Sequence, residues 1–209
     1  MVRAYVRSLP RSNADYRVVH TELESENGIA DVVTVRMRKD WARSSGLAKI
    51  APQWAFALRV LPYRKVFTTI AFSELTGASR STAISVLRTF EAAGFCTRKQ
   101  QPNCWTKIRQ PIPVASQIIA IEAKLSDWRR ALMQAYRYLD FATQSWVLID
   151  AANSGPAFRN IAEFKRLNVG LAVIGPETLV RKLFAPSKQE PKSPIRHWGV
   201  LSLIGRRTL

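Results

Sequence analysis

The sequence predicts an α/β (α+β) protein: a mixed central sheet flanked by helices and interrupted by a helical module. Three observations predict it. Two Val-rich, strand-like segments near the N-terminus surround Asn27-Gly28, a strong two-residue turn signal. Residues 117–174 run strand, helix, strand, helix, strand, which argues for at least one crossover helix and a sheet covered on both faces. Between these regions, residues 50–110 change to helical spacing and are bounded by Pro111 and Pro113.

In chain order, residues 16–24 and 29–36 are the strands of the hairpin. Residues 52–61, 67–75 and 80–93 carry apolar groups at helical spacing. The Thr76-Gly77-Ala78-Ser79 break separates the second helix from the third, Ser79 is the N-cap of the third, and Gly94 ends it. Two short strands, 95–99 and 104–109, flank a Gln101-Pro102-Asn103 turn. Beyond the prolines, 117–123, 145–150 and 169–174 are strands and 127–142 and 156–167 are helices. Trp128, Ala131, Leu132, Ala135 and Leu139 share one face of the first of these helices. The expected organisation is a discontinuous core from 1–40 and 111–185, an insertion at 41–110, and a loose C-terminal arm at 186–209, of which Trp198–Ile204 docks back.

At 209 residues, 47% of them apolar, the chain can bury a core of its own. Its apolar runs fall far short of the roughly 18 residues that span a membrane, and the N-terminus has no secretory apolar region. Cys96 and Cys104 are too few for a disulfide framework and read as small apolar residues facing each other across the 95–109 hairpin. A reduced, cytoplasmic location is the expectation.

Thirty-two Lys and Arg against fifteen Asp and Glu give a net charge of +17, which calls for a polyanionic partner. Eleven cations and two acids lie between 41 and 121, so more than half of the excess sits in the helical insertion. There, FSELTGASRSTAISVLRTFEAAGF resembles the helix-turn-helix core of winged-helix domains, with 80–93 as recognition helix. Arg80, Ser81, Thr82, Ser85 and Arg88 are placed to reach base edges or phosphates, and Arg98, Lys99, Lys107 and Arg109 on the wing to reach phosphates. DNA is the expected partner. The oligomeric state is left open, a dimer included.

Glu-x-Lys occurs three times, but only Glu122/Lys124 ends an apolar strand, where residues two apart emerge on the same side. Asp31, inside Ile29-Ala30-Asp31-Val32-Val33, is a charge in a Val-rich strand, costly unless paired or bound to a cation. If Asn27-Gly28 forms the turn, Glu24 stands opposite Asp31, and a divalent ion between the two carboxylates relieves their repulsion.

A hairpin bearing an Asp, then a strand ending Glu-x-Lys, then a helix resembles the restriction-endonuclease-like PD-(D/E)xK nuclease superfamily. Gln134-Ala135-Tyr136-Arg137-Tyr138 is similar to the Q-x-x-x-Y motif of its recombination-associated branch. Ala30 stands where the pattern has Pro, and the insertion accounts for the 91 positions between Asp31 and Glu122. The resemblance implies a restriction-endonuclease-like core with an inserted winged helix. It implies Mg²⁺ or Mn²⁺ held by Asp31, Glu122 and Glu24, Lys124 assisting at the phosphate, and Gln134 and Tyr138 completing the site. The function it implies is metal-dependent DNA hydrolysis in repair, recombination or a mobile element. The alternatives are a non-catalytic DNA-binding regulator on a degenerate nuclease scaffold, and a basic structural or RNA-associated protein.

Overall fold

A computed structural model describes residues 1–8, 17–25, 28–176 and 179–208. In chain order its elements are α1 (Val2–Ser8), β1 (Arg17–Ser25), β2 (Gly28–Met37), a 3-10 segment (Trp41–Lys49), α2 (Pro52–Val60), β3 (Val66–Thr68), α3 (Thr69–Thr76), α4 (Arg80–Ala92), β4 (Cys96–Arg98), β5 (Cys104–Lys107), β6 (Ala115–Lys124), α5 (Trp128–Tyr138), β7 (Gln144–Asp150), α6 (Gly155–Arg159), α7 (Ile161–Leu167), β8 (Gly170–Ile174), β9 (Val180–Phe184) and α8 (Pro194–Thr208). They fall into two compact units, one from Met1–Met37 and Ala115–Pro194, the other from Arg38–Val114 and the residues from Ile195 onward. Among the described residues no helix is long and apolar enough to cross a membrane.

The first unit is a mixed sheet of order β1-β2-β6-β7-β8-β9. β6, β7 and β8 are parallel, and the hairpin β1–β2 and strand β9 run antiparallel at either side. The central strands earn their place by composition: all five residues of β8 (GLAVI) are buried, as a strand covered on both faces requires. On one face Trp128, Leu132 and Leu139 of the α5 region and Phe164 of α7 close over Val147, Ile149 and Leu171. Each such fully buried side chain contributes roughly 1.5–3 kcal/mol. On the other face α1 packs near Val32, Ile121, Leu148 and Ala172. Asp127 starts α5 by accepting from Arg130 N at 3.1 Å. The long helix expected over 156–167 divides at Asn160, whose Nδ2 donates to Pro156 O at 2.8 Å and closes the first turn.

The hairpin register differs from the expectation by two residues. Asn27 lies outside the described residues, but Ser25 already pairs with Gly28, so Glu24 faces Ile29 instead of Asp31. Gly28 holds a φ of 109°, which glycine alone adopts without strain, and so it joins the ladder at its first rung. Glu22 and Asp31 lie between the pairs Thr21–Val32 and Leu23–Ala30, and Glu22 there has a φ of 51°.

The second unit contains the sheet β3-β5-β4 and helices α2, α3, α4 and α8. Phe67 and Thr68, expected to begin a helix, belong to the strand β3. Thr68 then caps α3 by accepting from Ala71 N at 3.1 Å. Ser79 caps α4 by accepting from Thr82 N at 3.2 Å, and Ala83, Val86, Leu87 and Phe90 face the core. The two cysteines do not face each other: Cys96 pairs with Lys107 and Cys104 with Thr68. Burial pushes the Cys96 thiol up to about 12. The stretch from Pro186 is not a loose arm, because residues 194–208 are helical. Trp198, Val200, Leu201 and Ile204 are buried, and Ser202 Oγ donates to Leu47 O at 3.2 Å.

Lys107, expected on the wing surface, is fully buried. Its ammonium donates to Leu58 O and Arg59 O at 3.2 Å and to Gln110 Oε1 at 3.1 Å. It thus satisfies the open carbonyls at the end of α2, where a cation also complements the helix dipole. Burial, with the Arg59 charge adding to it, lowers its pKa from 10.5 to about 8. Below pH 8 both folded and unfolded chains carry this proton. Between about 8 and 10.5 only the unfolded chain keeps it, so the burial penalty is relieved and stability rises with pH. Urea unfolding of wild type, referenced to Lys107→Met at each pH, should show this rise; a flat difference across the window would contradict it.

Candidate active site

Strand alternation puts Glu122 and Lys124 on the same face of β6 as α5. β2 and β6 pair antiparallel through Val32–Ile121, and Asp31 and Glu122 are the next residues on their strands. Two residues 91 positions apart therefore meet at one end of the β2–β6 ladder. Asp31 Oδ2 accepts from Ala123 N at 2.8 Å, tying the acid of β2 to the backbone directly after Glu122.

The Glu122 side chain is only 1% exposed, so its carboxylate depends on its partners. Lys124 Nζ lies 2.8 Å from Glu122 Oε1, and Tyr138 Oη lies 2.8 Å from Oε2 and 2.7 Å from Ile29 O. Burial pushes the Tyr138 phenol above its ordinary range, as do its hydrogen bond to Glu122 and the negative charges of Glu122 and Asp31. The phenol thus stays protonated and acts as a donor. The Lys124 side chain keeps 31% of its surface exposed, so one cation reaches both the buried acid and the solvent.

Gln134 sits one turn before Tyr138 on the same face of α5. Its Oε1 is buried with no hydrogen-bond partner among the described residues, an acceptor the fold leaves open. The structure thus brings Asp31, Glu122, Lys124 and Tyr138 together and sets Gln134 on the Tyr138 face. It does not bring in Glu24, which is exposed on β1 opposite Ile29. Ile29 O and Ala123 N also belong to the cluster, and as backbone groups they leave no mark in the sequence.

Were a hard cation held here, Asp31 and Glu122 would supply its carboxylates, and both Glu122 oxygens already have partners in Lys124 and Tyr138. Adjacent carboxylates repel, and Asp31 Oδ1 has no partner among the described residues. Among those residues no three His, Cys, Asp or Glu side chains form a metal-holding group. Two carboxylates with water completing the shell suit Mg²⁺ or Mn²⁺, not zinc, which takes three or four protein ligands.

In the second unit, Arg80, Ser81, Thr82, Ser85 and Arg88 of α4 are exposed, as are Arg98 and Lys99. Lys107 is removed from that surface by its burial. The Arg109 guanidinium is held by the fold: Nη2 donates to Ala93 O at 2.8 Å and the group lies 4.4 Å from the Phe95 ring centroid. Comparisons with known proteins find no match, neither to a family model nor to a curated protein or solved structure.

Proposed function

We propose that the chain is a metal-dependent deoxyribonuclease with a restriction-endonuclease-like PD-(D/E)xK core and a winged helix-turn-helix DNA-binding unit. One observation carries this reading: a carboxylate of 1% exposure beside a second acid, with a lysine two residues on, at the end of a buried strand. Burying such a charge is unfavourable for folding, and groups of this kind concentrate at functional sites. Asp31 and Glu122 would hold the ion, whose chemistry when bound is to polarise the scissile phosphate and acidify a water. Lys124 offers its partly exposed ammonium to the negative charge that develops at phosphorus. Tyr138 and Ala123 N fix the two carboxylates, and Gln134, one turn before Tyr138 on α5, would complete the site. The order α3, tight turn, α4, β4–β5 supports the winged-helix reading, and α4 presents Arg80, Ser81, Ser85 and Arg88 to a groove.

A second reading, a DNA-binding regulator without catalysis, is favoured by the engagement of both Glu122 oxygens by Lys124 and Tyr138. Labelled duplex, forked and single-stranded DNAs incubated with and without Mg²⁺ or Mn²⁺ separate the two. Metal-dependent cleavage supports the nuclease. DNA binding with neither cleavage nor Mn²⁺ binding establishes the regulator.

A further inference from the structure

The sheet face opposite α5 holds a cavity of about 370 Å³, within the range of small-molecule sites. Its floor comes from the alternate residues of β6, β7 and β8, including Ile121 and Leu148, so it is a different place from the carboxylate cluster. We propose that this cavity binds a nucleoside monophosphate.

Three features point to that chemistry. The first is an aromatic wall. Trp146 pairs across the ladder with Gly170, where a Cβ would lie 2.3 Å from the indole, so glycine is what lets the ring settle against β8. The second is a fixed amide pair. Gln144 Nε2 donates to Pro186 O at 2.8 Å and Gln117 Nε2 donates to Gln144 Oε1 at 3.3 Å. That leaves Gln117 Oε1 as an acceptor with no partner among the described residues, beside the aromatic wall. The third is charge. Lys182 lines the cavity, with Nζ 5.6 Å from the Trp146 ring centroid, while Arg17 and Arg36, at its edge, are already engaged by other groups. A planar heterocycle with donor groups on its edge fits the first two features, and a phosphate fits the third. An acyl chain would leave Gln117 unanswered, and a bare anion would leave the apolar floor uncovered.

The proposal does not depend on the nuclease reading. Calorimetric titration of the full chain in EDTA with the four deoxynucleoside monophosphates tests it, with adenosine, inorganic phosphate and a long-chain fatty acid as comparison ligands. The expected result is saturable 1:1 binding of at least one nucleotide, with adenosine and phosphate each weaker by about tenfold or more. Trp146→Leu should weaken binding about tenfold or more, since base–aromatic packing carries effects of that size. Lys182→Met should weaken it severalfold, and Glu122→Gln should leave it unchanged. Trp146→Phe, which keeps a ring, should retain most of the affinity and guards against a Leu variant that fails to fold. The proposal is overturned by the absence of saturable binding at millimolar nucleotide, by indifference to both Trp146→Leu and Lys182→Met, by preference for the fatty acid, or by loss of binding in Glu122→Gln.

Discussion

Glu122→Gln is expected to abolish metal-dependent cleavage while leaving DNA affinity in place. The amide keeps the size of the carboxylate and can still accept from Tyr138, but it lacks the charge that a divalent ion needs. Losing the several kcal/mol that a bound metal supplies to the transition state corresponds to at least about a thousandfold in rate. Asp31→Asn should behave alike, because the Asn oxygen still accepts from Ala123 N and only the charge is lost. Lys124→Ala keeps both acids and removes one cation from the developing charge, an effect of about 10²–10³ in rate. Single-turnover cleavage with saturating enzyme measures all three, and DNA affinity measured in parallel shows that the chains are folded. Undiminished cleavage in Asp31→Asn would take that residue out of the metal site and sink the assignment as drawn.

Replacing Arg80, Arg88 and Lys99 together by Ala should weaken DNA binding about a hundredfold or more, since base-reading or phosphate-pairing residues are each worth about 1–3 kcal/mol. The salt dependence should flatten as well, because each lost phosphate contact lowers the slope of log K against log salt by about 0.9. Lys107→Met is the informative companion. It removes a cation from the same stretch of sequence, yet the ammonium is fully buried against the end of α2. DNA affinity and salt slope should therefore stay at wild-type values, while stability changes. Fluorescence anisotropy across a salt series reads both variants. An unaffected triple variant would remove α4 and the β4–β5 hairpin from DNA recognition, and a flattened slope in Lys107→Met would mean that the lysine is exposed when DNA binds.

Much of the fold was legible because periodicity is local. The parallel strands β6, β7 and β8 announced themselves as apolar runs, α5 by its five buried positions, and α4 by its Ser79 cap. Glu122 and Lys124 could be placed on one face from their spacing of two, and Gln134 and Tyr138 from their spacing of four. Strands such as β9 (VRKLF) gave no clear period, and α8 hid behind Pro186, Pro191 and Pro194, which read as an arm. Its helix forms because Trp198, Leu201 and Ile204 find a core to enter, and that is a tertiary event.

Local residue pattern sets which side chains share a face of a strand or helix, how the charge is distributed, and that two acids stand at strand positions too apolar for them. The tertiary structure alone decided which of these groups meet. It set Glu24 opposite Ile29, brought Asp31 to Ala123 N across 92 positions, enclosed Lys107, and laid Trp146 against Gly170. The physical reason is that alternation fixes direction over a few residues. Register and burial are settled by hydrogen bonds and packing between segments that the chain keeps far apart.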